Sequence, residues 1–411
     1  MQVDLPAIQA ARQRIHNAIY RTPCRYSLLL SQLYGCAIYC KYDHLQMTGS
    51  FKERGARNKL LTLSEEQRSH GVIAASAGNH ALGLAYHGRQ LKIPVTVVMP
   101  VWAPLVKVTN CRNLGAQVIL QGETFDDARK LAQEMAHTRR WEYIHGFDDP
   151  AIIAGQGTVG LEILEEVPDL DAIIVPVGGG GLIAGVGTAV KALRPSVRVI
   201  GAEPHAAPTL HASLQKGAIT RVNTKPTLAD GLAISEVGHL CFALAQKTVD
   251  QVVLVDEAEI ARSVLRLLEV EKTVVEGAGA VALAALQDPT LHLSGKKLVL
   301  LLSGGNIDVT LIARIIERGL ATDGRLCRLT AHMPDRPGSL ARLTQVIAST
   351  GASVKEIYHD RNFAPSDVAL VNIVCVMETR DRAHIAELHH ALRQANLQFT
   401  VPTPEILLDQ T

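Results

Sequence analysis

Aromatic residues are scarce, 4% of the 411 positions, so the interior must rest on Val, Ile, Leu and Ala. Net charge is nearly absent as well: 41 Lys and Arg against 40 Asp and Glu leave +1. A chain with no basic excess is not built to hold a nucleic-acid backbone, and no nucleic-acid partner is expected. The seven cysteines form no C-x-x-C pair, and the nearest two, Cys36 and Cys40, have no histidines at zinc spacing. Reduced thiols acting as small hydrophobes in a cytoplasmic protein are expected. The opening Met1-Gln-Val-Asp-Leu-Pro6 lacks a basic region ahead of an apolar one, so a signal peptide is not expected. A single uncharged stretch, 172–190, approaches the length of a membrane span. Pro176 and six glycines interrupt it, and a strand, a glycine turn and a helix describe it better than a bilayer segment.

What the chain does have is 47% hydrophobic and 20% charged residues, the balance of a folded protein. At ~150 residues per domain its length calls for two or three domains. Strand-like runs fall at 37–41, 72–75, 95–99, 117–120, 172–177, 197–202, 252–255 and 297–302. Helix-like patterns lie between them at 81–90, 125–136, 152–165 and 258–268. Such alternation implies crossover connections and a mostly parallel sheet. Two open α/β lobes fit residues 1–320 better than one closed barrel, the smaller lobe covering about 45–150. A ligand is then expected beyond the carboxyl ends of the strands. After a linker at 321–325, residues 326–411 change pattern. Strand 326–332, helix 339–349, strands 352–361 and 367–377, helix 382–394 and strand 398–401 spell the β-α-β-β-α-β order of a ferredoxin-like module.

Three strand-like runs end in small-residue loops that lead towards a helix: 74–80, 177–182 and 302–307. Backbone N–H groups at a helix start favour an anion, so three such loops suggest a ligand with more than one anionic or polar end. One alternative is a dinucleotide site. Gly179, Gly181 and Ala184 fit G-x-G-x-x-A, with Glu203 about twenty residues on as the ribose acid. That reading of a nicotinamide-dependent oxidoreductase leaves Ser76–His80 and Thr48–Gly55 unexplained. Lys52 lies in the second of these, after Phe51 and a run of small residues. A lysine buried at a helix start loses basicity, as an amine that forms a Schiff base requires.

The segments 41–55, Ser76-Ala-Gly-Asn-His80, Gly178–Leu182 and Ser303-Gly-Gly-Asn306 together resemble the fold-type II pyridoxal-phosphate enzymes, and within them the threonine/serine dehydratases. Residues 326–401, with Pro334-Asp-Arg-Pro-Gly-Ser-Leu340 as the first turn, resemble the ACT regulatory module. The resemblance implies a two-lobed, tryptophan-synthase-β-like α/β fold with a ferredoxin-like appendage. It implies that Lys52 carries pyridoxal 5'-phosphate, that Gly178, Gly179, Gly180, Gly181 and Leu182 receive the phosphate, and that Asn79 meets the ring hydroxyl. Ser303 then partners the pyridine nitrogen as a neutral group, and Phe51 and Gly231 line the ring. Ser76, Ala77, Gly78 and Asn79 hold the substrate carboxylate. The implied reaction has the freed lysine amine take the α-proton of L-threonine, or L-serine, while the β-hydroxyl leaves with a proton from the cofactor phosphate. Hydrolysis of the released product yields a 2-oxo acid and ammonia.

Two departures from the family pattern bear on the outcome. Racemases of this family place a serine where this chain has Ala77, which ranks racemisation below elimination. A cation site in some members uses Glu203 and a second carboxylate where this chain has Thr209, a poorer ligand, so a metal at Glu203 is a minor expectation. Glu276 reads as a first-turn dipole partner of the helix behind it. Asp335, Arg336 and Gly338 read as candidate contacts for an amino-acid effector. A non-catalytic amino-acid sensor is the third alternative, opposed by intact Lys52, Asn79 and Ser303. The resemblance further implies a homo-oligomer, dimer or tetramer, under allosteric control in amino-acid metabolism such as isoleucine biosynthesis.

Overall fold

A computed structural model describes residues 2–103, 105–360 and 370–401. The chain forms two compact units, Met1–Asp308 and Val309–Thr411. In the first, strands β1 (Cys24–Tyr26), β2 (Ala37–Lys41), β3 (Val72–Ala75), β4 (Val95–Met99), β5 (Gln117–Leu120), β6 (Glu142–Tyr143), β7 (Ala172–Pro176), β8 (Arg198–Pro204), β9 (Gln251–Val255) and β10 (Lys297–Leu301) build two open sheets. The larger has the order β1-β2-β10-β7-β8-β9 and the smaller β5-β4-β3-β6. Every pairing is parallel except β1 with β2. β3, β4 and β7 are buried along their whole length, as parallel strands covered on both faces must be.

The helices that matter for the site pack where side chains are missing. Helix Pro150–Glu166 starts on Asp149, whose carboxylate accepts from the N–H groups of Ala151 and Ile152, and it is buried continuously from Ala151 to Leu164. It is pressed from one side by helix Gly181–Leu193 and from another by helix Lys52–Thr62. A Cβ on Gly185 would lie 2.4 Å from Ile153 O, and one on Gly155 would lie 2.6 Å from Arg54 O. Both neighbours are backbone, so only glycine permits these crossings. Arg54 then links the layers. Its guanidinium donates to both oxygens of Asp43 (2.7 and 2.8 Å) and both of Glu162 (2.6 and 2.9 Å), all deep in the interior. Two carboxylates hold the cation there, and the residue two positions from Lys52 becomes immovable.

In the second unit β11 (Leu326–Pro334), β12 (Ser353–Asp360), β13 (Leu370–Glu378) and β14 (Gln398–Thr400) form an antiparallel sheet of order β12-β13-β11-β14. Leu329, Ala331 and Met333 of β11 and Val371, Ile373, Cys375 and Met377 of β13 alternate inward. They meet Leu343, Ile347, Leu388 and Leu392 of helices Ser339–Ser349 and Arg382–Gln394. This is the β-α-β-β-α-β arrangement expected, although Arg361 and the first residues of the strand read at 367–377 lie outside the described residues. The segment 321–325 is not a simple linker. Ala321 and Thr322 end helix Val309–Thr322, and Arg325 N–H donates back to Leu320 O at 2.8 Å. That helix packs on β11, which is why the units part at Asp308 rather than near 320. Among the described residues no helix is long and apolar enough to cross a membrane, and 172–190 is β7, a turn and a helix.

Candidate active site

The carboxyl ends of β3, β7 and β10 and the start of helix Lys52–Thr62 converge on a cavity of about 600 Å³. Phe51, Lys52, Ser76, Ala77, Gly78, Asn79, Gly178, Gly179, Gly180, Gly181, Leu182, Gly231 and Ser303 all line it. Residues from five separate stretches of chain thus share one crevice, at the place a parallel α/β sheet reserves for ligands. The Lys52 amine donates to Gly146 O at 2.8 Å and lies 5.1 Å from the Phe51 ring centroid. Burial lowers its pKa from 10.5 to about 8. Phe51 N–H donates to Ser303 O at 3.0 Å, which ties the lysine's helix to the turn after β10.

The tetraglycine turn shows its N–H edge to the cavity because its carbonyls are engaged elsewhere. Gly179 O accepts from Gly238 N–H (3.1 Å) and Gly180 O from Ala184 N–H (2.9 Å). Among the described residues no protein acceptor takes the N–H groups of Gly178 to Leu182. Gly180 adopts φ +92°, and a Cβ on Gly179 would lie 2.4 Å from the Phe147 ring. Side chains are therefore excluded twice, by backbone conformation and by space. In the loop after β3, Ser76 Oγ accepts from Gly78 N–H at 3.2 Å, while the N–H groups of Ala77, Asn79 and His80 carry no protein acceptor among the described residues. Unpartnered N–H groups at a helix start, as in these two loops, favour an anion. The third loop, at 302–307, differs. Gly305 N–H donates to Gly49 O and Ile307 N–H to Gly305 O, both at 2.9 Å, and the next helix begins only at Val309. The expectation that all three loops open a helix is corrected to two, because in the third Gly305 N–H joins the chain segment ahead of Lys52, Ile307 N–H turns back on its own loop, and no helix starts there.

Glu203 decides against a dinucleotide. It ends on β8 after a β-α-β unit, as a ribose acid would, yet it is 0% exposed. Its oxygens accept from Thr209 Oγ1 (3.1 Å), Leu210 N–H (2.8 Å) and His211 N–H (2.9 Å). A carboxylate spent on its own helix start cannot bind a ribose. It is no better placed for a metal, and among the described residues no group of three or more His, Cys, Asp and Glu is arranged to hold one.

A phosphorylated aldehyde fits the cavity: unpartnered backbone N–H groups for a dianion, and a lysine depressed by burial for a carbonyl carbon. A family model described as "Pyridoxal-phosphate dependent enzyme" matches residues 15–304. The chain belongs to this family. A second model, "ACT domain", matches residues 328–394. The L-threonine ammonia-lyase of Thermotoga maritima is 47% identical over 95% of this chain and 97% of its own. Among solved structures, the processed form of threonine deaminase isoform 2 from Solanum lycopersicum is 37% identical, with a TM-score of 0.73 over 76% of this chain and 86% of its own. The serine racemase of Dictyostelium discoideum is 38% identical, with a TM-score of 0.71 over 75% of this chain and 99% of its own.

One polar residue of this pyridoxal-phosphate enzyme's cavity wall, Glu276, and one just behind the wall, Asn306, had been given no such place by the sequence. Glu276 precedes helix Gly277–Ala284 without capping it. Its Oε1 instead accepts from Asn79 Nδ2 at 2.7 Å. Asn306 Nδ2 donates to Asn79 Oδ1 (2.8 Å) and to Thr48 O (2.7 Å). The two contacts fix which way the Asn79 amide faces, oxygen towards Asn306 and nitrogen towards Glu276. Burial, reinforced by Asp230, raises the Glu276 carboxyl to about 7. Local pattern offered little sign of either role, since an acid before a glycine helix has an ordinary dipole explanation.

The second unit has its own pocket, of about 310 Å³, lined by Asp335, Arg336 and Gly338 together with His359, Val371 and Ile373. Gly338, at φ +90°, opens helix Ser339–Ser349.

Proposed function

We propose that this chain is a pyridoxal-phosphate-dependent threonine ammonia-lyase, converting L-threonine to 2-oxobutyrate and ammonia and L-serine to pyruvate and ammonia. The observation that carries the reading is the low-pKa amine of Lys52 in the same cavity as the unpartnered amides of Gly178–Leu182. The 47% identity to an L-threonine ammonia-lyase over almost the full length supports the substrate. Bound here, pyridoxal phosphate would supply the electron sink that acidifies the hydrogen on the substrate's Cα. The neutral Lys52 amine takes that proton. The Cβ–O pair leaves with the oxygen, which takes up a proton equivalent to the one removed from Cα and departs as water, and the released enamine hydrolyses to the 2-oxo acid and ammonia. Gly178–Leu182 would hold the phosphate, and the Ser76, Ala77, Gly78 and Asn79 loop would hold the substrate carboxylate, with the N–H groups of Ala77 and Asn79 free to donate. Ser303 would face the ring nitrogen as a neutral partner, Asn79 would meet the ring hydroxyl, and Phe51 and Gly231 would bound the ring, all four lining the cavity. The methyl group of Ala77 offers no proton donor on the cavity wall, which favours elimination over racemisation.

We assign the first unit, Met1–Asp308, to catalysis and the second to regulation, with an amino-acid effector at Asp335, Arg336 and Gly338. Within the chain, outer strand β12 leaves one edge of its sheet without a partner strand among the described residues, which supports pairing with a second copy in a homo-oligomer. Seven free cysteines suit the reducing cytoplasm.

The full chain should bind pyridoxal 5'-phosphate with a visible absorbance band and release 2-oxobutyrate from threonine. Lys52→Ala should abolish both. A native chain that takes up no cofactor, or a Lys52→Ala chain with undiminished turnover, overturns the reading.

A further inference from the structure

The carbonyl of Gly178 is the one in the tetraglycine turn whose partner is a side chain. Thr209 Oγ1 lies 3.4 Å from Gly178 O and 3.1 Å from Glu203 Oε1, and its single proton is shared between them. Thr209 and Glu203 are both 0% exposed. Thr209 is itself held: Ser213 Oγ donates to its carbonyl at 2.7 Å, and Thr220 N–H donates to Ser213 Oγ at 3.0 Å. On its other flank Gly178 has no room to retreat, since a Cβ there would lie 3.0 Å from Leu232 Cα.

The peptide joining Gly178 to Gly179 is trans, as are all others among the described residues. In a trans peptide the C=O and the following N–H point in opposite directions. Anchoring Gly178 O on Thr209 therefore aims the Gly179 N–H away from Thr209. A divalent cation does not fit beside Glu203. Three donors already use the carboxylate, and residue 209 contributes a hydroxyl in place of a second carboxylate.

We propose that the Thr209 hydroxyl, braced by Glu203, is a positioning group that orients the tetraglycine turn for a phosphate dianion and does so without any metal ion. This rests on the reading of that turn as the phosphate seat. The measurement is the dissociation constant of pyridoxal 5'-phosphate, and separately of pyridoxal, for the full chain stripped of cofactor. Thr209→Val should weaken binding of the phosphorylated compound roughly fivefold to tenfold, the worth of one oriented hydrogen bond. Binding of pyridoxal, which has no phosphate, should stay the same. Thr209→Ser should restore the native value, and EDTA or added Mg²⁺ should leave the native chain unchanged. Equal losses for both compounds, or no loss, or a native affinity that follows Mg²⁺, would overturn the proposal. If Thr209→Val does not fold, Thr209→Ala compared with Thr209→Ser decides by the same ratio. A native chain that binds neither compound would sink the cofactor reading itself, an outcome distinct from a native chain that binds both and a variant that does not differ.

Discussion

Lys52 differs from an ordinary surface lysine chiefly in what surrounds it. Its amine has one protein acceptor, Gly146 O, and its pKa is lowered from 10.5 to about 8 because burial penalises the charged form. The neutral amine attacks an aldehyde, so capture of the cofactor must quicken as the proton leaves. Mixing the cofactor-free chain with pyridoxal 5'-phosphate should show a rate of band formation that rises roughly fivefold between about pH 7 and 8 and levels off above about 9. A rate still climbing tenfold per pH step above 9 would mean an ordinary lysine. The Asn79 amide is a second case of setting over identity. Glu276 and Asn306 decide its orientation, and the carboxyl of Glu276 is poised near 7 by burial rather than by any charge in its own helix.

Glycines govern the packing of the elements that carry these groups. In an exposed helix, Gly→Ala stabilises by about 1 kcal/mol. At Gly185 the sign should reverse. The added carbon would meet Ile153 O at 2.4 Å and Gly157 N at 2.6 Å, and backbone cannot rotate aside as a side chain can. Gly185→Ala should therefore lower the stability of the native chain by about 1–3 kcal/mol, seen as an earlier urea midpoint with an unchanged slope. An unchanged midpoint would show that the two helices can part at little cost. The same logic explains why Arg54 matters to a lysine it does not touch. Clamped by Asp43 and Glu162, it holds the first turn of helix Lys52–Thr62 against helix Pro150–Glu166.

The molecule joins a two-sheet catalytic unit to an antiparallel ACT unit. Each has its own core and its own pocket. If the pocket at Asp335, Arg336 and Gly338 takes an amino acid, a guanidinium is the natural partner of its carboxylate. Steady-state turnover of threonine by the full chain, titrated with isoleucine and with valine, should respond to at least one of them. Arg336→Ala should raise the half-effective concentration by fivefold or more. An unaltered titration would remove Arg336 from the effector site.

Much of this is legible in the sequence. The apolar runs placed β2, β3, β4 and β5 at their observed bounds; β3 and β4 are buried on both faces and can hardly be written otherwise, while the edge strand β5 is short, apolar and closed by a glycine on either side. Lys52, the Ser76–His80 loop and the tetraglycine turn stood out because their chemistry is local: glycine frees the backbone, and a helix start exposes N–H groups. What stayed hidden joins residues far apart in the chain. Lys52 meets Gly146 across 94 positions, Asn79 meets Glu276 across 197 and Asn306 meets Asn79 across 227. Glu203 was open to a ribose and, less well, to a cation until its three donors were in view. Composition and period dictate which segments become strands, helices and amide-lined turns, because those choices are made within a few residues. Which carboxylate faces which amide is settled only when the sheets close on one another, because burial removes water as the competing partner and leaves each polar group the neighbours that packing supplies.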